Sequence, residues 1–584
     1  MKSYSVRVDA NVPLPLNDGT MTYVDIFRPS TSGKFPALLK RTPYDKSSPN
    51  SRSSPVDAVR AAMQGYGVVI QDIRGRHSAS GEFYPFVNEA EDGYHSVEWV
   101  ASQPWCTGKV GMYGVSYEGA TQWLAAKRSP PSLVAIAPGV TASDYHEGWA
   151  WQGGAFELGF NLSWAMGPLT GGNWGNLSQL LDLTKEDLEQ FIDAKDNLDQ
   201  GFYHVPTKEY PYLKGGLASY YYDWLSHAEY DDYWRDICIE DNHKDISIPA
   251  FNIGGWYDIF LGGTIRNYVG MRDNAATELA RGGQRLLLGP WVHGAAPNDV
   301  SGQHHFGTSS SSVALDLPGL ILAYYDYWLK GKDNGIAEEK PVRIFVMGEN
   351  KWRLEDEWPL NRAINCTYYL HSRGKANTLN GDGYLSPESP TQEPPDIYVY
   401  NPMDPAPTQG GGLCCDPAFM MSGAYDQRSI EARPDVLVYT TSPMEEDMEV
   451  TGPIIVTLYG ASSAVDTDFT AKLVDVQPCG CARNLTDGII RARYRSPRQP
   501  ASFINPGEIY EYRIDLWATS NLFKKGSCVR LEISSSNFPR FDRNTNTGGP
   551  ITSENTFVAA LQTIHHEAAY PSNLRLPIVP RIDS

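Results

Sequence analysis

The segment Gly114-Val115-Ser116-Tyr117-Glu118-Gly119 constrains this chain more than any other. An apolar run, Lys109 to Tyr113, precedes it, and a run of helical character, Ala120 to Lys127, follows. A strand that enters a helix through so short a turn forces side chains on either side of the turn into collision. Glycine removes the clash and accepts backbone angles that other residues avoid. Strand followed directly by helix is the building unit of a parallel sheet covered by helices. The turn also pushes the serine hydroxyl beyond the sheet edge, where a helix N-terminus favours developing negative charge. The spacing is irregular, because the general pattern G-x-S-x-G wants glycine at the position of Glu118, and here it falls at Gly119.

The surrounding sequence extends the pattern. Val6 to Ala10 and Thr22 to Phe27 read as strands around an Asn17-Asp18-Gly19 turn. Phe35 to Leu39, Gly67 to Gln71 and Leu133 to Ala137 are short apolar runs, with helices expected over Ala58 to Gln64 and Gly93 to Ser102. From about Thr141 to Asp241 the chain turns rich in Trp, Tyr, Leu and Asp at helical spacing, which reads as a helical insertion. Strands resume at Ile246 to Ile253, Gln284 to Leu288 and Val342 to Met347, with a helix over Gly319 to Trp328. Beyond residue 350 helical spacing nearly vanishes, and short β runs punctuated by Pro and Gly suggest an all-β sandwich. The expected organisation is one α/β unit in two pieces, residues 1–144 and 242–350, with a cap at 145–241 and an all-β domain at 351–584.

Net charge is −20, which argues against binding a nucleic-acid backbone or an anionic membrane. The N-terminal residues carry no apolar core of signal-peptide length, and no stretch reaches the ~18 apolar residues that span a bilayer. A cytoplasmic protein is therefore expected, and homo-oligomerisation is left open. The eight cysteines do not form a disulfide framework. Cys414-Cys415 and Cys479-Gly480-Cys481 are too isolated for a four-ligand metal site, and adjacent histidines such as His304-His305 point apart. Vicinal Cys414 and Cys415 are candidates for a redox pair. No metal or cofactor is expected.

A serine hydroxyl is a poor nucleophile at neutral pH unless a base takes its proton, and imidazole is suited to that task. A carboxylate must then hold the ring in the right tautomer. In hydrolases built on parallel sheets the order along the chain is serine, acid, histidine, each after a strand. Pro249 to Tyr257 ends in Asp258, and Arg285 to Val292 ends in His293. The helical insertion accounts for the long interval between Ser116 and Asp258. For the oxyanion, the backbone N–H of Tyr117 is one donor, and the phenol of Tyr44, in the loop after an early strand, is a candidate for the second.

The chain resembles the cocaine esterase / X-prolyl dipeptidyl peptidase family of serine hydrolases almost end to end. The matching segments are Arg41-Thr42-Pro43-Tyr44, Gln71 to Arg76, Gly114 to Gly119, Gly255-Trp256-Tyr257-Asp258, Gly289 to His293, Val465 to Leu473 and Gly488 to Arg495. The family's serine turn has its glycine three places after the serine, as at Gly119. The resemblance implies an α/β-hydrolase fold with an inserted helical cap and a C-terminal all-β jelly roll. It also implies Ser116 as nucleophile, His293 as base, Asp258 as orienting acid and Tyr44 beside the Tyr117 N–H as oxyanion donor.

An ester or amide of a bulky, aromatic or apolar acyl group is the expected substrate. Trp149, Trp151, Phe156, Trp164 and Phe260 are candidates for the acyl pocket. Other readings are acyl transfer, a dipeptidyl peptidase, an α-amino acid ester hydrolase, or a carbohydrate-binding jelly roll beside an inert hydrolase unit. The peptidases of the family carry a large extra helical domain that has no counterpart in this sequence. The amino acid ester hydrolases place acids where this chain has Phe260 and Leu261, so an ammonium site here would need acids from elsewhere, such as Asp144 or Glu157.

Overall fold

The computed structural model describes residues 3–294 and 299–580. Its first sheet has ten strands. In spatial order they are Val6–Pro15, Met21–Pro29, Gly67–Asp72, Phe35–Thr42, Cys106–Val115, Leu133–Gly139, Phe251–Tyr257, Arg285–Val292, Val342–Val346 and Lys351–Glu355. From Gly67–Asp72 to Val342–Val346 neighbouring strands run parallel. The two ends are antiparallel, the first of them through the Asn17-Asp18-Gly19 hairpin turn read from the sequence. Short turns join the outermost pairs, Val6–Pro15 to Met21–Pro29 and Val342–Val346 to Lys351–Glu355, and a short turn can only reverse direction, whereas a parallel neighbour needs a crossover. The last hairpin carries the sheet to Glu355, so the boundary read at residue 350 falls inside it.

Both faces of the sheet are covered, so successive strand residues are buried in different layers. Leu39, Val69 and Met112 join the core under the helices Glu89–Ser102 and Tyr117–Lys127. Their neighbours Leu38, Ile70 and Tyr113 join the core under the helix Leu317–Lys330. The period-two side-chain pattern of a strand makes this division, and burial of both faces explains the nearly unbroken apolar runs in the sequence.

The cap, beginning with the hairpin Trp151–Gln152 and Ala155–Phe156, continues through short helices from Leu158–Trp164 to Asp232–Arg235. The hairpin tip reaches the all-β part. Gly153 lies so close to the strand Ala482–Arg491 that a Cβ on it would sit 2.0 Å from the Ile489 carbonyl oxygen. Its own carbonyl accepts from Arg491 N at 2.7 Å.

The C-terminal part is a β-sandwich of eleven linked strands. Its long strand Met448–Ser462 pairs with Tyr510–Phe523 and with Asn573–Val579. One continuous core contains Trp256, Leu286 and Ile344 of the first sheet together with Phe469, Ile514 and Leu531 of the sandwich. The architecture is thus an α/β-hydrolase domain with an inserted helical cap and a C-terminal all-β domain, assembled around shared apolar surface.

Candidate active site

Three strand ends create the site. Ser116 follows Cys106–Val115, Asp258 follows Phe251–Tyr257, and His293 follows Arg285–Val292. The last two strands are parallel neighbours with Val292 opposite Tyr257, which puts Asp258 and His293 side by side. His293 Nε2 lies 2.9 Å from Ser116 Oγ, and His293 Nδ1 lies 2.9 Å from Asp258 Oδ2. The second carboxylate oxygen of Asp258 accepts from the Phe260 N–H at 2.5 Å. The acid is buried and the serine is partly exposed.

Ser116 has φ 61° and ψ −125°, a region that costs a non-glycine residue about 1–3 kcal/mol. Its N–H donates to Gly139 O at 2.9 Å, and its carbonyl accepts from Gly119 and Ala120, the start of the helix. Helical hydrogen bonding leaves the N–H of Tyr117, the first helical residue, without an intrahelical acceptor.

The irregular glycine has a physical cause. Glu118, two places after the serine, is turned inward and ion-paired at 3.0 Å with buried Lys40. Gly114 makes room for it, since a Cβ there would lie 2.5 Å from Glu118 Cβ. Gly119 is the residue that approaches the next strand, where a Cβ would meet Thr141 Cβ at 2.9 Å and Gly139 O at 3.0 Å. An acid under the turn thus takes the place that glycine holds in the general pattern.

The Tyr44 phenol accepts from the Trp164 indole N–H at 3.0 Å. Burial pushes its pKa up, while hydrogen bonds with Trp164 and Ser116 pull it down. It is therefore a neutral O–H next to the serine. The Tyr117 ring is clamped separately: its O–H donates to Glu89 at 2.9 Å and accepts from the Phe86 N–H at 2.9 Å. Glu89 in turn pairs with buried Arg41 at 2.7 Å, and burial lifts its carboxyl above the usual range.

The structure sorts the aromatic candidates into two layers. Phe260 meets the His293 ring edge-on at 5.2 Å and stacks on Trp149 at 4.3 Å. Trp149 and Trp164 lie 5.4 Å apart, and Trp164 is 5.9 Å from Tyr117. Phe160, which the sequence reading did not single out, sits against Trp149, Trp164 and Phe260. Trp151 and Phe156 pack on each other at 5.0 Å, with Trp151 toward His146 and Phe156 toward Tyr221. They are cross-strand partners on the short hairpin, Trp151 opposite Phe156. Asp144 and Glu157 are also held elsewhere, Asp144 by Arg498 at 3.0 Å and Glu157 by Arg540 at 3.5 Å.

A loop of the all-β domain completes the surroundings. Gly410-Gly411-Gly412 leads into Leu413, Cys414 and Cys415, and a Cβ on Gly412 would lie 3.0 Å from Asp258 O. Cys414 and Cys415 form a disulfide, so the pair considered from sequence is joined. A ring nitrogen of His293 and both sulfurs lie within 4.8 Å of one another. That group is a possible metal-ligand cluster by distance alone, but both sulfurs are engaged in the disulfide. The run of three glycines was the one sequence signal that could have flagged this approach. No helix among the described residues is long and apolar enough to cross a membrane.

Known proteins resemble this chain over nearly its whole length. Residues 18–295 match the family X-Pro dipeptidyl-peptidase (S15 family), and residues 334–575 match the X-Pro dipeptidyl-peptidase C-terminal non-catalytic domain. A cocaine esterase of Rhodococcus sp. is 39% identical over 590 residues, covering 99% of each chain. An aminopeptidase from a marine sediment archaeon superposes with a TM-score of 0.81 at 23% identity, covering 99% of this chain and 97% of its own. An α-amino acid ester hydrolase superposes with a TM-score of 0.79 at 24% identity, covering 98% and 97%. At those identities the two structures speak to the fold alone.

Proposed function

Because this chain belongs to the cocaine esterase / X-Pro dipeptidyl-peptidase family of serine hydrolases, we propose that it cleaves esters of bulky apolar acyl groups through an acyl-enzyme on Ser116. The observation that carries the reading is the continuous hydrogen-bond line from Asp258 through His293 to Ser116, beside an uncharged aromatic wall.

His293 Nε2 accepts the Ser116 proton as Oγ attacks the acyl carbonyl, and the tetrahedral oxyanion forms. Asp258 holds the Nδ1–H and stabilises the imidazolium. The Tyr117 N–H and the Tyr44 O–H face the developing charge, the second with its oxygen fixed by Trp164. The imidazolium returns its proton to the leaving alcohol, which departs and leaves an ester on Ser116. Water, deprotonated by His293, then releases the acid. Phe260, Trp149 and Trp164 offer the acyl group ring surface and no charge. Asp144 and Glu157 each have an arginine beside them that competes with a substrate ammonium. This supports a simple apolar acyl group over an α-amino acyl one.

The test is a panel of p-nitrophenyl esters with acetyl, benzoyl and α-aminoacyl groups, run on wild type and Ser116→Ala. Benzoyl esters should be preferred, and the variant should lose turnover and fluorophosphonate labelling together. Undiminished turnover in the variant would refute the assignment of Ser116. A preference for α-aminoacyl esters would refute the acyl class.

A further inference from the structure

The geometry assigns the Cys414–Cys415 disulfide as a wall of the acyl site and a determinant of acyl selectivity, carried in from the all-β domain. The inference rests on the acyl-ester reading above and deepens it. Four observations place the pair. Both sulfurs lie within 4.8 Å of a His293 ring nitrogen. The preceding Gly412 backbone is packed on Asp258, where a Cβ would lie 3.0 Å from the Asp258 carbonyl oxygen. Cys414 is buried in the same apolar cluster as Trp149, Trp164, Phe160 and Phe260, with Cys415 against it. The Cys415 N–H points to Ser163 Oγ of the cap helix at 3.5 Å.

The loop is also held at its base and on its far side. Gly411 and Gly423 exchange backbone hydrogen bonds of 2.7 and 2.9 Å. Met420 lies so close to the cap that a Cβ on Gly159 would be 2.4 Å from its methyl carbon. The disulfide is thus clamped between the acid, the base and the cap rather than hung on a free loop.

Joined, the two sulfurs make one compact apolar surface with no S–H. Separated, they become two thiols that cannot come closer than non-bonded contact, each with its own rotamers and a weak donor facing His293. Breaking the bond therefore changes the shape of the wall where an acyl group would sit. In an apolar pocket a change of methylene size shifts selectivity by about tenfold or more.

A trialkylphosphine supplies the reduction cleanly. Its phosphorus lone pair attacks one sulfur, the S–S bond breaks, and the other sulfur leaves as a thiolate that takes a proton. Water then attacks phosphorus and frees the second thiol, so the disulfide gains two electrons and two protons and the phosphine becomes its oxide. Reduced and untreated wild type are compared by the ratio of kcat/KM for p-nitrophenyl benzoate over acetate. Peptide mass, read as the gain of two hydrogens on the 414–415 peptide, reports the redox state. The expected result is a fall in the ratio of about tenfold, reversed on reoxidation. A Cys414→Ala/Cys415→Ala variant should show an altered ratio that no longer responds to phosphine. This variant also carries the test if the bond resists reduction.

Free thiols at 414 and 415 in the untreated protein would overturn the assignment. So would a ratio that stays within about twofold in both the reduced enzyme and the variant. Acetate turnover and fluorophosphonate labelling of untreated wild type read the hydrolase itself. If they fail, the proposed function falls; if they hold while the ratio stays fixed, only the disulfide assignment falls.

Discussion

Tyr44→Phe is the substitution whose outcome follows most directly from the geometry. The phenol oxygen accepts from the Trp164 indole at 3.0 Å, which leaves its own proton free to face the oxyanion. Burial holds its pKa above the ordinary value, so the donor stays protonated throughout the neutral range. Removing one donor from an oxyanion hole costs about 2.7–4 kcal/mol in the transition state, or about 10²–10³ in kcat. The ground state has no oxyanion, so KM should change little. The same substitution strands the buried indole N–H, at about 1–3 kcal/mol of folding stability.

Trp164→Phe separates the two effects. It keeps the phenol but removes the hydrogen bond that aims it, at about 0.5–1.5 kcal/mol, or up to about tenfold in kcat. Once Tyr44 is Phe there is no hydroxyl left to aim, so the double variant should match Tyr44→Phe in kcat rather than multiply the two losses. The assay is steady-state hydrolysis of p-nitrophenyl acetate, whose acyl group has no ring to pack on Trp164, with the four proteins, alongside denaturant unfolding. A Tyr44→Phe enzyme within about threefold of wild type in kcat would remove Tyr44 from the oxyanion hole. Strictly multiplicative losses would show that Trp164 acts on something other than the phenol.

Two further outcomes can be measured. Lys40→Met leaves Glu118 charged and buried beneath the serine turn, and should lower unfolding free energy by about 3–5 kcal/mol; Lys40→Met/Glu118→Leu should recover much of it, and a single variant as stable as wild type would refute the pair's role. The Glu157 carboxyl is pushed up from 4.5 to about 7, chiefly by burial and against the pull of Arg540. The folded chain therefore keeps a proton that the unfolded chain releases, and this group's contribution to stability is lost as pH rises from about 4.5 to about 7. Glutamine has no such proton, so the melting temperature of Glu157→Gln minus that of wild type should grow across that window and then level off. A flat difference would refute the shift.

What could be read from the sequence is what depends on near neighbours along the chain. Asp258 and His293 each follow an apolar run that is a strand by its own pattern, and parallel pairing then has little choice but to bring them together. The strand Asn573–Val579 was missed, because it is a β-strand through its partners Met448–Ser462 and Ile364–His371, far away in sequence. The same limit applies inside the site. Trp149, Trp151 and Phe156 are equally aromatic, nearly adjacent and all buried, and only the packing of cap on sheet decides that Trp149 stacks on Phe260 while the other two pack on each other. The loop Gly410–Gly423 reaches Asp258 from about a quarter of the chain's length away in sequence, and only its three glycines hint at a close approach. The two classes of residue also do different work. In the proposed mechanism those legible locally move the proton and stabilise the oxyanion, and those fixed by distant packing shape the space where the acyl group would sit. Two chains sharing every residue of the first class can therefore prefer different esters. On this argument, acyl preference should follow exchanges in the 410–423 loop while the rate with a small acetyl ester follows Ser116, His293 and Tyr44.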